Sequence, residues 1–134
     1  MEEAFVALLL ADAGTTALVG NRVNWNVRPQ SAALPAIVLT NVSRQDDYHS
    51  QGPSGYVQSR VQVDCYGTTF GAAVGVSRAV KARLSGLRTV QGGTHFLGVF
   101  VDSERQSYEE GSGGVWMHRV SIDFMVHHKE TTHA

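Results

Sequence analysis

Between Gly52 and Leu84 the periodicity of the chain changes once, and that change restricts the fold more than any other feature. Gly52-Pro53-Ser54-Gly55 has the composition of a turn. From Tyr56 to Tyr66 polar and apolar residues alternate. Val57, Val61, Val63 and Cys65 lie on one face, and Gln58, Arg60, Gln62 and Asp64 on the other, as in a half-buried strand. After Gly67 the period lengthens from about 2 to about 3.6 residues, so that Phe70, Ala73, Val74, Ser77, Lys81 and Leu84 stripe one side of a helix. That helix is predicted from about Thr69 to Ser85, with Thr68 as its N-cap and Gly86 past its end.

Local signals place the other elements. Glu2 and Glu3 open a helix where carboxylates meet the positive pole of its dipole, and Ala4 to Ala11 continues it. Gly14 marks an interruption or a C-cap, and Thr15 or Thr16 caps a second short helical turn ending at Gly20. Asn21 to Arg28 reads as irregular or as a short strand, closed by Pro29. Pro35 opens a first strand, Ala36 to about Ser43, at a position where its missing N–H does little harm. Arg44 to Gly55 reads as a long hairpin loop. Gly92-Gly93 is a turn, Phe96 to about Glu104 a third strand and Val115 to His128 a fourth. Gln106 to Gly114 forms the loop between those two.

The order is α-β-β-α-β-β, and the predicted class is α+β with a single domain over residues 1–134. Charge sets a register: Arg60 opposite Asp123 and Asp64 opposite Arg119, which also places Val61 by Ile122 and Val63 by Val120 on the other face. The second and fourth strands thus become central neighbours in a four-stranded, mainly antiparallel sheet of order 1-2-4-3, with the helices on one face. A chain of 134 residues buries about two-thirds of the surface it exposes when unfolded, enough to fold without a disulfide or metal. Cys65 is the only cysteine and reads as a small buried hydrophobe.

Strand parity also predicts an uncovered apolar strip. Val120, Ile122, Phe124 and Val126, joined by Phe96 and Phe100, point toward the helices. Leu97, Val99, Val101, Met117 and Met125 are left on the opposite face, where a strip of this kind marks a partner surface.

Chemistry is harder to find. Gly75-Val76-Ser77-Arg78-Ala79 echoes a nucleophile elbow but falls in mid-helix, where no strand-to-helix turn presents the serine. Six histidines invite a metal reading, yet His127 and His128 are adjacent on a strand and point to opposite faces, and His118 has no ligand at helix or hairpin spacing. Solvated or edge histidines are expected instead. Asp46-Asp47 and Glu109-Glu110 sit in predicted loops without a neighbouring pocket, so they read as solvated carboxylates and not as acid–base pairs. No enzyme and no cofactor are expected. A formal charge of −1, with 11 Lys and Arg against 12 acids, argues against tight binding to nucleic acid. Phe5 to Ala11 is too short for a membrane span and follows two glutamates, which argues against a signal peptide or a membrane partner.

With its elements placed, the chain resembles the tail-completion, or tail-terminator, proteins of long-tailed bacteriophages and prophages. The segments that carry the resemblance are Glu2-Glu3-Ala4-Phe5, Leu8-Leu9-Leu10-Ala11-Asp12-Ala13-Gly14 and Ala17-Leu18-Val19-Gly20-Asn21-Arg22-Val23. Leu34-Pro35-Ala36-Ile37-Val38, Gly52-Pro53-Ser54-Gly55 and Arg60-Val61-Gln62-Val63-Asp64-Cys65-Tyr66 follow. Asp102-Ser103-Glu104-Arg105, Tyr108-Glu109 and Arg119-Val120-Ser121-Ile122-Asp123-Phe124 complete it. None is diagnostic alone; their order and spacing over nearly the whole length carry the likeness.

The resemblance implies a structural virion protein, assembled in the bacterial host cytoplasm. It implies a ring of commonly six copies at the head-proximal end of the tail tube, with the tube protein and the head–tail connector as partners. DNA passes through such a ring without specific binding. The apolar strip would then seal neighbouring copies. Asp46, Asp47, Tyr48 and His49 in one loop, and Arg105, Tyr108, Glu109 and Glu110 in the other, would reach adjacent layers. A head–tail connector or minor capsid component, and a small non-catalytic ligand-binding domain, stand as alternatives.

Overall fold

The computed structural model describes residues 1–27, 33–110 and 116–130. Among the described residues, three helices, α1 (Glu2–Leu10), α2 (Ala13–Val19) and α3 (Phe70–Leu84), accompany six strands: β1 (Val23–Trp25), β2 (Ala36–His49), β3 (Gly52–Gly67), β4 (Thr89–Gln91), β5 (Thr94–Glu110) and β6 (Trp116–Glu130). The strands form one mixed sheet of order β1-β2-β3-β6-β5-β4, in which β1 runs parallel to β2 and the other pairs are antiparallel. The described residues are thus mostly β, which corrects both the predicted α+β class and its four-stranded sheet of order 1-2-4-3. Of the two further strands, β1 lies in the segment that reads as irregular or as a short strand, and β4 is unexpected; each has three residues, too few for periodicity to register.

The two hairpins are longer than their hydrophobic patterns. β2 continues through the polar run Arg44 to His49 and turns directly into β3 at Gly52, so the predicted loop from Arg44 to Gly55 is mostly strand. Likewise β5 extends to Glu110 through the first part of the loop predicted from Gln106 to Gly114. Its tip, and Val115 as the predicted start of the fourth strand, lie outside the described residues. Alternation fails as a signal in these stretches because neither face of the extended hairpin is buried, while the paired backbone still satisfies its hydrogen bonds.

The central pair β3–β6 joins the hairpins. Its register sets Gln62 opposite Asp123, Val63 opposite Ile122 and Tyr66 opposite Arg119. The register expected from charge is therefore displaced by two residues. A slip of two keeps every side chain on its face, so alternation alone could not distinguish the registers. Arg60 still reaches Asp123, diagonally, at 3.1 Å.

The core lies between the helices and the inner face of the sheet. Phe5, Leu8 and Leu9 of α1, and Ala73, Val76, Val80 and Leu84 of α3, meet Ile37, Leu39, Val61, Val63, Cys65, Val99, Val120, Ile122, Phe124 and Val126. The buried stripe of α3 is rotated from the predicted one: Val76 and Val80 face inward, whereas Phe70 is exposed. Thr69, not Thr68, caps α3 by accepting the Ala72 N–H at 3.1 Å. Asp12 caps α2 through the Thr15 N–H, which puts Gly14 inside that helix instead of at a break. α1 is fixed to the body by Trp25, whose indole donates to the Glu2 carbonyl, and by Arg83, which donates to the Leu8 carbonyl. Burial, with a smaller push from the Asp64 charge, raises the Cys65 thiol far above its ordinary pKa.

Gly67 controls how closely α3 approaches the sheet. A Cβ there would lie 2.7 Å from the Ala73 backbone nitrogen and 2.9 Å from the Ala72 Cβ. Because the obstacle includes backbone, no rotamer change relieves it. Gly67→Ala is expected to lower stability by about 1–3 kcal/mol, measured by urea unfolding, whereas Gly71→Ala at an open site leaves the midpoint nearly unchanged or raises it.

Candidate functional site

The outer face of the sheet, away from the helices, carries a connected polar network and not an apolar strip. Asp123 is its centre, nearly buried, and accepts from Arg60 at 3.1 Å, Arg105 at 3.2 Å and Ser103 at 3.3 Å. Arg60 also pairs with Asp102 at 2.6 Å, and Arg105 donates to the Gln62 side-chain carbonyl at 2.9 Å. One strand along, Asp64 accepts from Ser121 at 2.5 Å and from the Gln62 amide at 3.0 Å. Burial pushes the Asp123 carboxyl up, but the Arg105 and Arg60 guanidinium groups outweigh it and hold the pKa below the usual carboxylate range. The arrangement is a structural clasp across three strands.

Toward one end of the same face the network gives way to rings. The Tyr56 hydroxyl is bonded to Nδ1 of His127, and the Phe100 ring packs edge-on to His127 at 5.7 Å between centroids. Phe100 covers Gly98 so closely that a Cβ there would touch its ring at 2.7 Å. His128 points the other way and is fully buried, within 3.0 Å of the Ser59 hydroxyl. The expectation of solvated or edge histidines therefore fails for His128.

Two bulges in β5, between Phe96 and Gly98 and between Val101 and Ser103, scatter the residues of the predicted strip. Each bulge shifts the alternation by one residue. Val99 is consequently 0% exposed in the helix-side core, and Phe100, expected in the core, is 52% exposed on the outer face. Leu97 is half-buried at the first bulge, Val101 is exposed beside the second, and Met117 and Met125 are half-buried on the outer face. The strip is not continuous. Gly98, inside the strand, is the sequence signal for the first of these bulges.

The hairpins project past the central pair in opposite directions. β3 and β6 pair from Tyr56–Lys129 to Gly67–His118. Beyond the first limit extends the β2–β3 arm with Asp47, Tyr48 and His49; beyond the second extends the β5–β6 arm with Glu109 and Glu110. Asp46 sits at the base of the first arm, where its carboxylate accepts from Arg44 at 2.8 Å, and Tyr108 at the base of the second. Arg105 belongs to the Asp123 network and not to an arm tip.

Among the described residues no group of three or more His, Cys, Asp or Glu side chains is arranged to hold a metal ion. A shallow cleft lined by Glu3, Ala4, Ala7 and the turn Gln91 to Thr94 brings one carboxylate and no second titratable side chain. Ser77 is buried in α3 and donates to the Val74 carbonyl, which removes it as a nucleophile. No helix among the described residues is long and apolar enough to cross a membrane.

Comparison with known proteins finds both a family and similar solved structures. Residues 3–129 match the family described as tail completion protein gp17. The fold is similar to a chain in a solved structure titled "Virion of native gene transfer agent (GTA) particle", with a TM-score of 0.75 and 21% identity, covering 96% of this chain and 94% of that one. No curated protein matches the sequence.

The Asp123 clasp makes a pH-dependent contribution of known sign. A carboxylate whose pKa is lowered on folding stabilises the protein above its unfolded value of about 3.9, and that stability disappears as pH falls through the folded value. Asp123→Asn is expected to cost about 1–2 kcal/mol at neutral pH in thermal or urea unfolding. Its deficit relative to wild type should shrink below about pH 4. A constant deficit across that range would assign the effect to geometry and not to charge.

Proposed function

The chain belongs to the tail completion protein gp17 family, and from that premise we propose that it forms a ring capping the head-proximal end of a phage-type tail tube. Its coarse role follows from membership: a structural tail-completion protein of the virion tail. The finer reading is a closed ring of six copies, with the tail tube protein on one side and the head–tail connector on the other. The observation that carries it is the pair of arms overhanging opposite ends of one sheet. A subunit held between two layers needs contacts directed both ways, and Asp46 to His49 and Tyr108 to Glu110 are placed to make them.

Other features support the same reading. The outer face is charge-balanced around Asp123, so a ring that turned it toward passing DNA would not grip the phosphates. The similar chain in the gene transfer agent virion shares the fold over nearly its whole length. We assign no catalytic role: Ser77 and His128 are engaged in packing, and Asp46 and Asp47, which line a small open cleft with Tyr56 that the sequence did not lead one to expect, are taken up by Arg44 and Ser54. Contact between neighbouring copies is assigned to the margin of the second hairpin, where Leu97, Val101, Met117 and Met125 remain partly accessible while Val99 supports it from the core.

Deleting the gene from the producing particle tests the role. Electron micrographs should then show unjoined heads together with tails of irregular length. Headless tails of normal length would move the protein one layer up, into the connector, and normally joined particles would overturn the proposal. The margin is tested by light scattering. Val101→Glu is expected to reduce an assembled mass toward that of the monomer while leaving the melting temperature within a few degrees, since Val101 is already exposed. Val99→Glu instead should unfold the domain, with a loss of several kcal/mol from an unpaired charge in the core.

A further inference from the structure

Four rings gather at the base of the β5–β6 arm on the helix side of the sheet. Tyr108 lies 5.6 Å from Trp116 and 6.1 Å from His118, and His118 lies 6.3 Å from Phe70. Tyr108 is 68% exposed, Phe70 53% and Trp116 48%, so the group is open to solvent. The sequence from Gln106 to Met117 beside it carries Glu109 and Glu110 and no Lys or Arg. Rings with negative faces on an arm that carries acidic residues form a receptor for a guanidinium group.

The complementary charge is on the same molecule, in a place its own arm does not use. From Phe70 to Arg88 the chain has Arg78, Lys81, Arg83 and Arg88 and no acid. Lys81 is paired with Glu104 at 2.6 Å, and Arg83 is spent on the Leu8 carbonyl. Arg78 and Arg88 are exposed and make no ion pair or side-chain hydrogen bond among the described residues. The β2–β3 arm offers no alternative, because Gln45 to Tyr56 contains Asp46 and Asp47 and again no Lys or Arg. Two acidic arms repel each other; a basic helix attracts either.

We propose that the aromatic, acidic base of the β5–β6 arm of one copy docks on the α3 surface of a second copy, with Arg78 stacked against Tyr108 and Trp116. The contact joins two different patches, so it repeats head to tail and generates a ring when its rotation closes. It rests on the ring reading above and names a contact for the helix-side base of the β5–β6 arm.

Cross-linking tests the pairing, and light scattering tests the ring separately. Cys65 is fully buried, which leaves introduced thiols as the reactive ones. Tyr108→Cys and Arg78→Cys proteins, mixed and mildly oxidised, should give a disulfide-linked dimer that neither gives alone. Arg78→Ala should raise the concentration needed for half-assembly by roughly 5- to 30-fold, and added salt should act in the same direction. If the wild type assembles but the mixture yields no linked dimer, or each variant links only to itself, this interface is wrong and the ring stands. A wild type that stays monomeric at every concentration and yields no cross-link overturns both.

Discussion

Everything in this fold depends on the antiparallel pairing of β3 with β6. Each strand belongs to a different hairpin, and only this ladder joins the hairpins into one sheet. On its inner side the ladder sets Val61 by Phe124, Val63 by Ile122 and Cys65 by Val120, the floor on which α1 and α3 rest. On its outer side it brings Arg60 and Gln62 within reach of Asp123 and, through it, of Arg105 on the next strand. One register thus serves two unlike purposes, apolar burial on one face and charge neutralisation on the other. A slip of one residue would exchange the faces and destroy both.

The adjacency of these strands was legible because valine and charged residues alternate cleanly on both. Their register was not, since burial constrains it only to the nearest two residues. The division between core and surface failed in β5, where two bulges reversed the sides of Val99 and Phe100 without altering the composition of the strand. The stripe of α3 departs from the expected one because Phe70, although apolar, lies against His118 and stays exposed, while Val76 and Val80 face the core. The arms were hidden for a related reason. Hydrophobic alternation reports burial, and an arm that leaves the body has none to report.

As for the site residues, the sequence located the two hairpins but not which of their side chains are exposed. Tyr48, His49, Tyr108 and Glu109 do stand on projecting hairpins, whereas Arg105 is bound into the Asp123 network and the expected apolar strip is interrupted. The difference matters for how such a subunit associates. An uninterrupted apolar face would attract any similar face without regard to orientation. Acidic arms carrying exposed rings, set against a basic helix on which Arg78 is unpaired among the described residues, admit fewer arrangements and hence favour a defined one.

The buried thiol has a consequence beyond packing. Cys65 is the only sulfhydryl in the chain, sealed beneath α3 and held protonated by its surroundings. Thiolate is the form that oxidants attack, and here it is neither populated nor reachable. A particle that leaves the reducing interior of its host and persists in air therefore carries no sulfur in this subunit that can bond copies together by accident.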